Sequence, residues 1–185
     1  IIHDGIDINW ACPNSNTKVL VNDIEFNSSD EIITFVNRTF EPYRGIHIFL
    51  DAICRVLKEK PKAHVLLVGS DTPKVSYGRA RTDGQGWLTA LKTELNTSID
   101  WSRIHSLGKV PHKKLRDIFR ISSAHVYLTY PFVLSWSMLE AMSCGALVIG
   151  SNTTPVTEVI DHGKNGLLVP FSDSSQLADQ LIEVL

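Results

Sequence analysis

The sequence predicts an α/β protein built on a parallel sheet with helices on both faces. Short apolar runs of strand length recur along the chain. Most are continuous rather than alternating, as expected for strands buried on both sides. Segments of helical periodicity lie between them, the pattern of βαβ units. At 185 residues the chain can bury a real core, and one domain is the simplest organisation.

Residues 32–36, Ile-Ile-Thr-Phe-Val, read as the first strand, followed by a polar turn and an amphipathic segment over residues 46–57. Residues 64–68, His-Val-Leu-Leu-Val, form a second buried strand that ends at Gly69. Further strands fall at residues 104–107 and 125–128, with a helical stretch over 113–119 between them. Residues 147–149 and 167–169 complete the series, and residues 174–185 open another helix. Two segments stand outside this alternation. Residues 1–30 hold Pro13 and several Asn and Ser without a period, and read as a linker or edge that leaves 31–185 as the domain. Residues 70–86, rich in Gly, Ser, Thr and Arg, are too long for a plain connection, and such loops are mobile or functional.

Composition narrows the function classes. A net charge of −2 gives no bulk attraction to nucleic acid. No apolar run reaches the roughly 20 residues that span a bilayer, and residues 1–5 lack a signal-peptide pattern. Cys12, Cys54 and Cys144 cannot all pair and lack metal spacing, which points to thiols in the cytoplasm. His47, His64 and His125 fall in or beside apolar stretches and read as packed rather than catalytic. No Asp-x-Asp is present to hold a divalent ion between phosphates, so no metal or other cofactor is expected.

The most informative stretch is residues 130–170. It reads as a strand end, a tight turn, a helix, a buried strand and a short helix. Ser135-Trp136-Ser137 can leave backbone N–H groups free at the helix start, a natural anion site. Glu140 follows within two turns, and helical side chains lean back toward the N-terminus. An acid there is favoured by the helix dipole alone, but its apolar neighbours Met138, Leu139, Ala141 and Met142 imply a buried carboxylate that needs partners. Amides for a phosphate beside a carboxylate for hydroxyls suit a nucleotide. Arg38 directly follows the first strand and Arg44 precedes Gly45 and a helix. In open α/β sheets ligands bind beyond the carboxyl ends of the strands, where two guanidinium groups can clamp a diphosphate. The plainer alternative pairs Arg38 with Glu41 and leaves Arg44 solvated.

From about Val36 to the C-terminus these motifs resemble the donor half of the retaining family 4 glycosyltransferases. LEAMSCGALVIGSNTTPVTEVIDHGKNGLLVP supplies the family's second motif acid as Glu140, then Ala141 to Gly145, and Pro155 through Glu158. Seven residues before Glu140, where the family places its first acid near the transferred sugar, stands Phe132. The resemblance implies the GT-B architecture of two facing Rossmann-like domains, of which this chain is one half. Residues 1–7 match the phrase that marks the crossing between the halves. It further implies that Arg38 and Arg44 act on the diphosphate, with Arg44 replacing the usual Lys. Glu140 would hold the ribose hydroxyls, and Val110, with Lys109 beside it, would meet the base. Gly69 and the turn Val133, Leu134, Ser135, Trp136 and Ser137 would contact the donor, the backbone of that turn holding the sugar.

The reading that follows is a donor-binding domain of an enzyme that moves a sugar from a nucleoside-diphosphate sugar to an acceptor hydroxyl with retention. The acceptor, and any membrane association, would belong to the other, N-terminal domain, and this domain alone would be inactive. Alternatives are a non-catalytic nucleotide-sugar-binding module, in which Phe132 reports lost chemistry, and a GT-B sugar-nucleotide epimerase. A dinucleotide-binding domain is disfavoured because no G-x-G-x-x-G follows the first strand.

Overall fold

A computed structural model describes residues 5–132 and 134–185. Its centre is a six-stranded sheet of β3 (Ile32–Thr39), β4 (His64–Ser70), β5 (Ile104–Ser106), β6 (Ala124–Tyr127), β7 (Leu147–Ser151) and β8 (Leu167–Val169). The order is β5-β4-β3-β6-β7-β8 and every neighbouring pair is parallel. The chain first builds outward from β3 to β5, then returns and builds the other way from β6. This is the doubly wound order, with its reversal between β3 and β6.

Alternation along β3 sends Ile33 and Phe35 to one face and Ile32 and Val36 to the other. The first face packs on α1 (Ile46–Glu59), α2 (Trp87–Glu94) and α6 (Ser174–Val184). The second packs on α3 (His112–Arg120), α4 (Trp136–Ser143) and the short α5 (Thr154–Thr157). The Rossmann-like sheet with two covered faces is therefore as the apolar runs predict. No helix among the described residues is long and apolar enough to cross a membrane.

Part of the segment expected as linker or edge is built into the domain. β1 (Lys18–Val21) and β2 (Ile24–Asn27) form an antiparallel hairpin. Val19, Val21 and Phe26 from this hairpin join the second face, together with Ala11. The strands are only four residues each, too short to display a period, and their turn is marked by Asn22 and Asp23, both left-handed. Residues 1–4 of the crossing phrase lie outside the described residues. α2 is an added element after the long 70–86 connection, where the sequence shows no clear helical stripe.

Buried polar groups of the second face meet around Thr34, although His125 Nε2 has no hydrogen-bond partner among the described residues. Thr34 Oγ1 lies 2.8 Å from Ser122 Oγ and 2.9 Å from His125 Nδ1. His125 is fully buried beside the Phe119 ring, and that burial lowers its pKa from 6.5 to about 3. The folded chain thus keeps His125 neutral where the unfolded chain would protonate it. Between those values the unfolded state binds more protons, so stability falls as pH falls, by up to about 1.4 kcal/mol per pH unit for this group. Burial also lowers His47, His64 and His105, which act in the same direction. Urea denaturation between pH 7 and pH 4 should therefore give a steep loss of stability that is shallower in His125→Phe; equal slopes would remove His125 as a source.

Candidate functional site: a cationic cleft at the sheet reversal

Ligand clefts of doubly wound sheets open where the strand order reverses, and here a cleft of about 330 Å³ lies at that point. The end of β3 forms one wall and the segment from Leu134 into α4 forms the other, with Arg44, Ser76 and Tyr77 between them. Arg38 and Arg44 both line it, as their positions after the first strand predict.

A register shift between Val36 and Thr39 marks a bulge in β3 that carries Asn37 and exposed Arg38. Bulges re-aim side chains at sheet rims. Gly69 sits behind this bulge: a Cβ there would meet the Asn37 carbonyl at 2.3 Å. It is absent from the lining of the described cleft, so its visible role is the close approach of β4 to β3. Arg44 closes a 3-10 turn, Pro42–Arg44, that ends at left-handed Gly45. A side chain at Gly45 would meet Leu128 Cβ at 2.7 Å. Arg44 Nη1 donates to Thr129 Oγ1 at 2.9 Å and to the Tyr127 hydroxyl at 3.4 Å. Both acceptors are neutral at ordinary pH, because burial raises the Tyr127 phenol above its usual value against smaller lowering effects of Arg44 and the Ser135 amide.

The pairing of Arg38 with Glu41 is not found among the described ion pairs. Glu41, only 1% exposed, accepts instead from the backbone N–H of Ser76 at 2.6 Å and of Tyr77 at 3.1 Å. One buried carboxylate thereby ties the long loop onto the cleft. Asp71 anchors the loop's other part by accepting from Leu88 N, Thr89 N and Thr89 Oγ1 at the start of α2.

The helix-start amides are less free than the sequence suggests. Ser135 N–H donates to the Tyr127 hydroxyl at 2.9 Å, and Ser137 N–H to Ser135 Oγ at 3.4 Å. The Tyr127 hydroxyl and the serine cap thus take two of the amides that the sequence offers to a ligand. The first turn of α4 still faces the cleft with its dipole and with the Ser135 and Ser137 hydroxyls, and Leu134 and Trp136 line the same wall. Val133 lies outside the described residues. Val110 is half-buried and packs on the second face before α3.

Glu140 is buried, 8% exposed, as its apolar neighbours imply, and its carboxylate has a protein partner. His112 Nε2, at the start of α3, lies 2.7 Å from Glu140 Oε1. Trp10 packs on the His112 ring, tilted by 32° with centroids 4.1 Å apart, and lies 4.9 Å from the Arg116 guanidinium. Sequence reasoning missed His112, Tyr127 and the Ser76-Tyr77 pair, and gave Glu41 only as a partner of Arg38. The only available signal was Glu41 itself, an acid between two arginines that the apolar Phe40 and Pro42 flank.

These residues make a doubly wound α/β domain with a cationic cleft at its sheet reversal. The chain belongs to the glycosyl transferases group 1 family, whose sequence profile matches residues 30–185. The N-acetyl-alpha-D-glucosaminyl L-malate synthase of Bacillus anthracis is 27% identical over 157 residues, covering 85% of this chain and 36% of that protein. The phosphatidyl-myo-inositol mannosyltransferase of Mycobacterium leprae is 28% identical over 157 residues, covering 83% of this chain and 37% of that protein. The chain thus spans little more than a third of the length of these relatives. HepE from Anabaena, solved with UDP and glucose, superposes with a TM-score of 0.75 at 20% identity over 97% of this chain and 45% of that one. The C-terminal domain of the group 1 glycosyl transferase LpcC from Francisella tularensis gives 0.77 at 19% identity, covering 97% and 87% respectively. These likenesses confirm the fold as the Rossmann-like domain of GT-B proteins.

Replacing Glu41 with Ala leaves the Ser76 and Tyr77 amides without their acceptor. Urea denaturation should show a loss of about 1–3 kcal/mol, and limited proteolysis should cut faster within residues 71–86. An unchanged cutting rate there would show that the carboxylate does not hold the loop.

Proposed function

We propose that this chain is the donor-binding domain of a retaining, family 4 glycosyltransferase that moves a sugar from a nucleoside-diphosphate sugar to an acceptor hydroxyl. The observation that carries the reading is the convergence of Arg38, Arg44 and the first turn of α4 on one cleft. Among the described residues no carboxylate pairs with either arginine, so both charges are available to a diphosphate. The family membership of residues 30–185 and the transferase names of the relatives support it.

Bidentate guanidinium groups suit the diphosphate better than point charges would. As the sugar leaves, charge builds on the nucleoside diphosphate, and Arg38, Arg44 and the α4 dipole stabilise it without requiring a metal or other cofactor. Ribose hydroxyls would bind Glu140 by sharing it with His112 or displacing that ring. Val110 would meet the base, and Gly69 would support the donor site from behind the bulge. The acceptor, with any membrane contact, would be met by another domain of a longer protein, and this domain alone would bind donor without turnover. Three unpaired cysteines support a cytoplasmic setting. Phe132 at the motif's first acid keeps a second reading open, a binding module without transfer, which turnover by the full-length protein decides.

Arg38→Ala and Arg44→Ala should each weaken nucleoside diphosphate binding by about 1.5–3 kcal/mol. Calorimetry with the bare nucleoside should show a much smaller change, whereas equal losses for both ligands would remove the diphosphate role. Glu140→Gln should weaken a ribonucleotide but leave its 2′,3′-dideoxy analogue nearly unaffected. The same loss in both would make Glu140 a structural residue held by His112.

A further inference from the structure

A second recess, of about 160 Å³, adjoins the cationic cleft and shares Arg44 and Tyr77 with it. Its remaining lining is Tyr43, Gly78, Thr129 and Phe132. Tyr77 comes from the loop tied by Glu41, and Phe132 from the segment after β6, yet their rings meet with centroids 4.6 Å apart. The Arg44 guanidinium carbon lies 5.7 Å from the Tyr77 ring and 5.9 Å from the Phe132 ring. Gly78 is left-handed, and a side chain there would strike the Tyr43 ring at 2.5 Å, so the loop passes flat across that ring.

Despite these contacts the rings are not core. Tyr77 is 40% exposed, Phe132 42% and Tyr43 46%, so three of the large exposed aromatics of the described residues gather on one rim. Exposed apolar groups clustered beside a polar cleft mark a binding surface rather than a folding requirement. A buried carboxylate is spent on presenting Tyr77 there.

We infer that Tyr77 and Phe132 form an aromatic wall for the sugar ring of the donor, and that they are specificity-determining residues selecting a hexopyranose through its apolar C–H face. The inference rests on the donor-site reading of the cationic cleft. A diphosphate held there has two ends. On that reading the nucleoside end would run toward Glu140, and the recess beyond Arg44 would receive the other. An aromatic face carries negative charge density, which attracts the weakly positive C–H groups of a pyranose face. Neither ring supplies a carboxylate to count hydroxyls, so selection turns on which face of the sugar is free of axial hydroxyls. Arg44, beneath the rings and held by Thr129, keeps the diphosphate against the wall.

The test is calorimetry on the full-length protein with UDP, GDP and ADP, and with UDP-glucose, GDP-mannose and ADP-glucose. Wild type should bind one sugar nucleotide more tightly than its bare diphosphate. Tyr77→Leu and Phe132→Leu, which keep an apolar side chain without a ring, should weaken that sugar nucleotide about three- to tenfold. Their affinity for the bare diphosphate should stay within about twofold, because the charge clamp is intact. Tyr77→Phe should restore the sugar preference. Equal weakening of diphosphate and sugar nucleotide, or no change in either, would overturn the sugar wall while leaving the donor site standing. The no-change result would assign the rings to a protein surface instead. Failure of wild type to bind any of the three diphosphates would overturn the donor-site reading and this inference with it.

Discussion

One buried hydroxyl holds the two walls of the cleft in register. Tyr127 ends β6 with its ring in the core and its oxygen at the sheet edge, where it accepts from both Arg44 and the Ser135 amide. A buried phenol must find partners or bear the desolvation of its oxygen. Here the partners are the cation on the β3 side and the first turn of the helix on the other. The spacing between Arg44 and the start of α4 therefore follows from the rigid position of a core strand. Thr129 extends the arrangement by holding Arg44 a second time, and its own amide is tied to Ser151 at the end of β7. The site inherits the stiffness of the sheet.

The electrostatics follow from the same arrangement. Arg44 is oriented by neutral oxygens, and Glu41, the nearest acid in sequence, is turned to the Ser76 and Tyr77 amides. Orientation without neutralisation leaves the guanidinium charge for a ligand. Had Glu41 paired with either arginine, part of that charge would have been cancelled before any anion arrived. Glu140 is treated differently: its buried carboxylate meets His112 rather than a backbone amide. His112 in turn packs on Trp10, which connects the site to the N-terminal segment.

The central strands were legible because burial on both faces writes them as continuous apolar runs, as in residues 32–36 and 64–68. The place of Arg38 and Arg44 on the cleft was legible because clefts of such sheets open at the strand ends, and both residues follow the first apolar run closely. The hairpin over β1 and β2 was hidden by its length, and α2 by the lack of an apolar stripe. The contacts that complete the site were hidden for another reason. Glu41 reaches Ser76 across 35 residues and Arg44 reaches Thr129 across 85, and no local pattern encodes such a meeting. The helix-start amides were misjudged because the serine that signals a cap also satisfies one of the donors it appears to offer. Phe132 could be recognised as a departure from the motif, but only the fold shows which ring it faces.

In the proposed function the cleft at the sheet reversal holds a diphosphate, with a ribose on the Glu140 side. A crystal structure of the chain with a bound nucleoside diphosphate tests it most directly. Phosphate oxygens should lie within hydrogen-bond distance of both Arg38 and Arg44 before the first turn of α4, with a ribose hydroxyl on the Glu140 carboxylate. A diphosphate bound away from Arg44, or a ribose that leaves the Glu140–His112 pair untouched and remote, would contradict it.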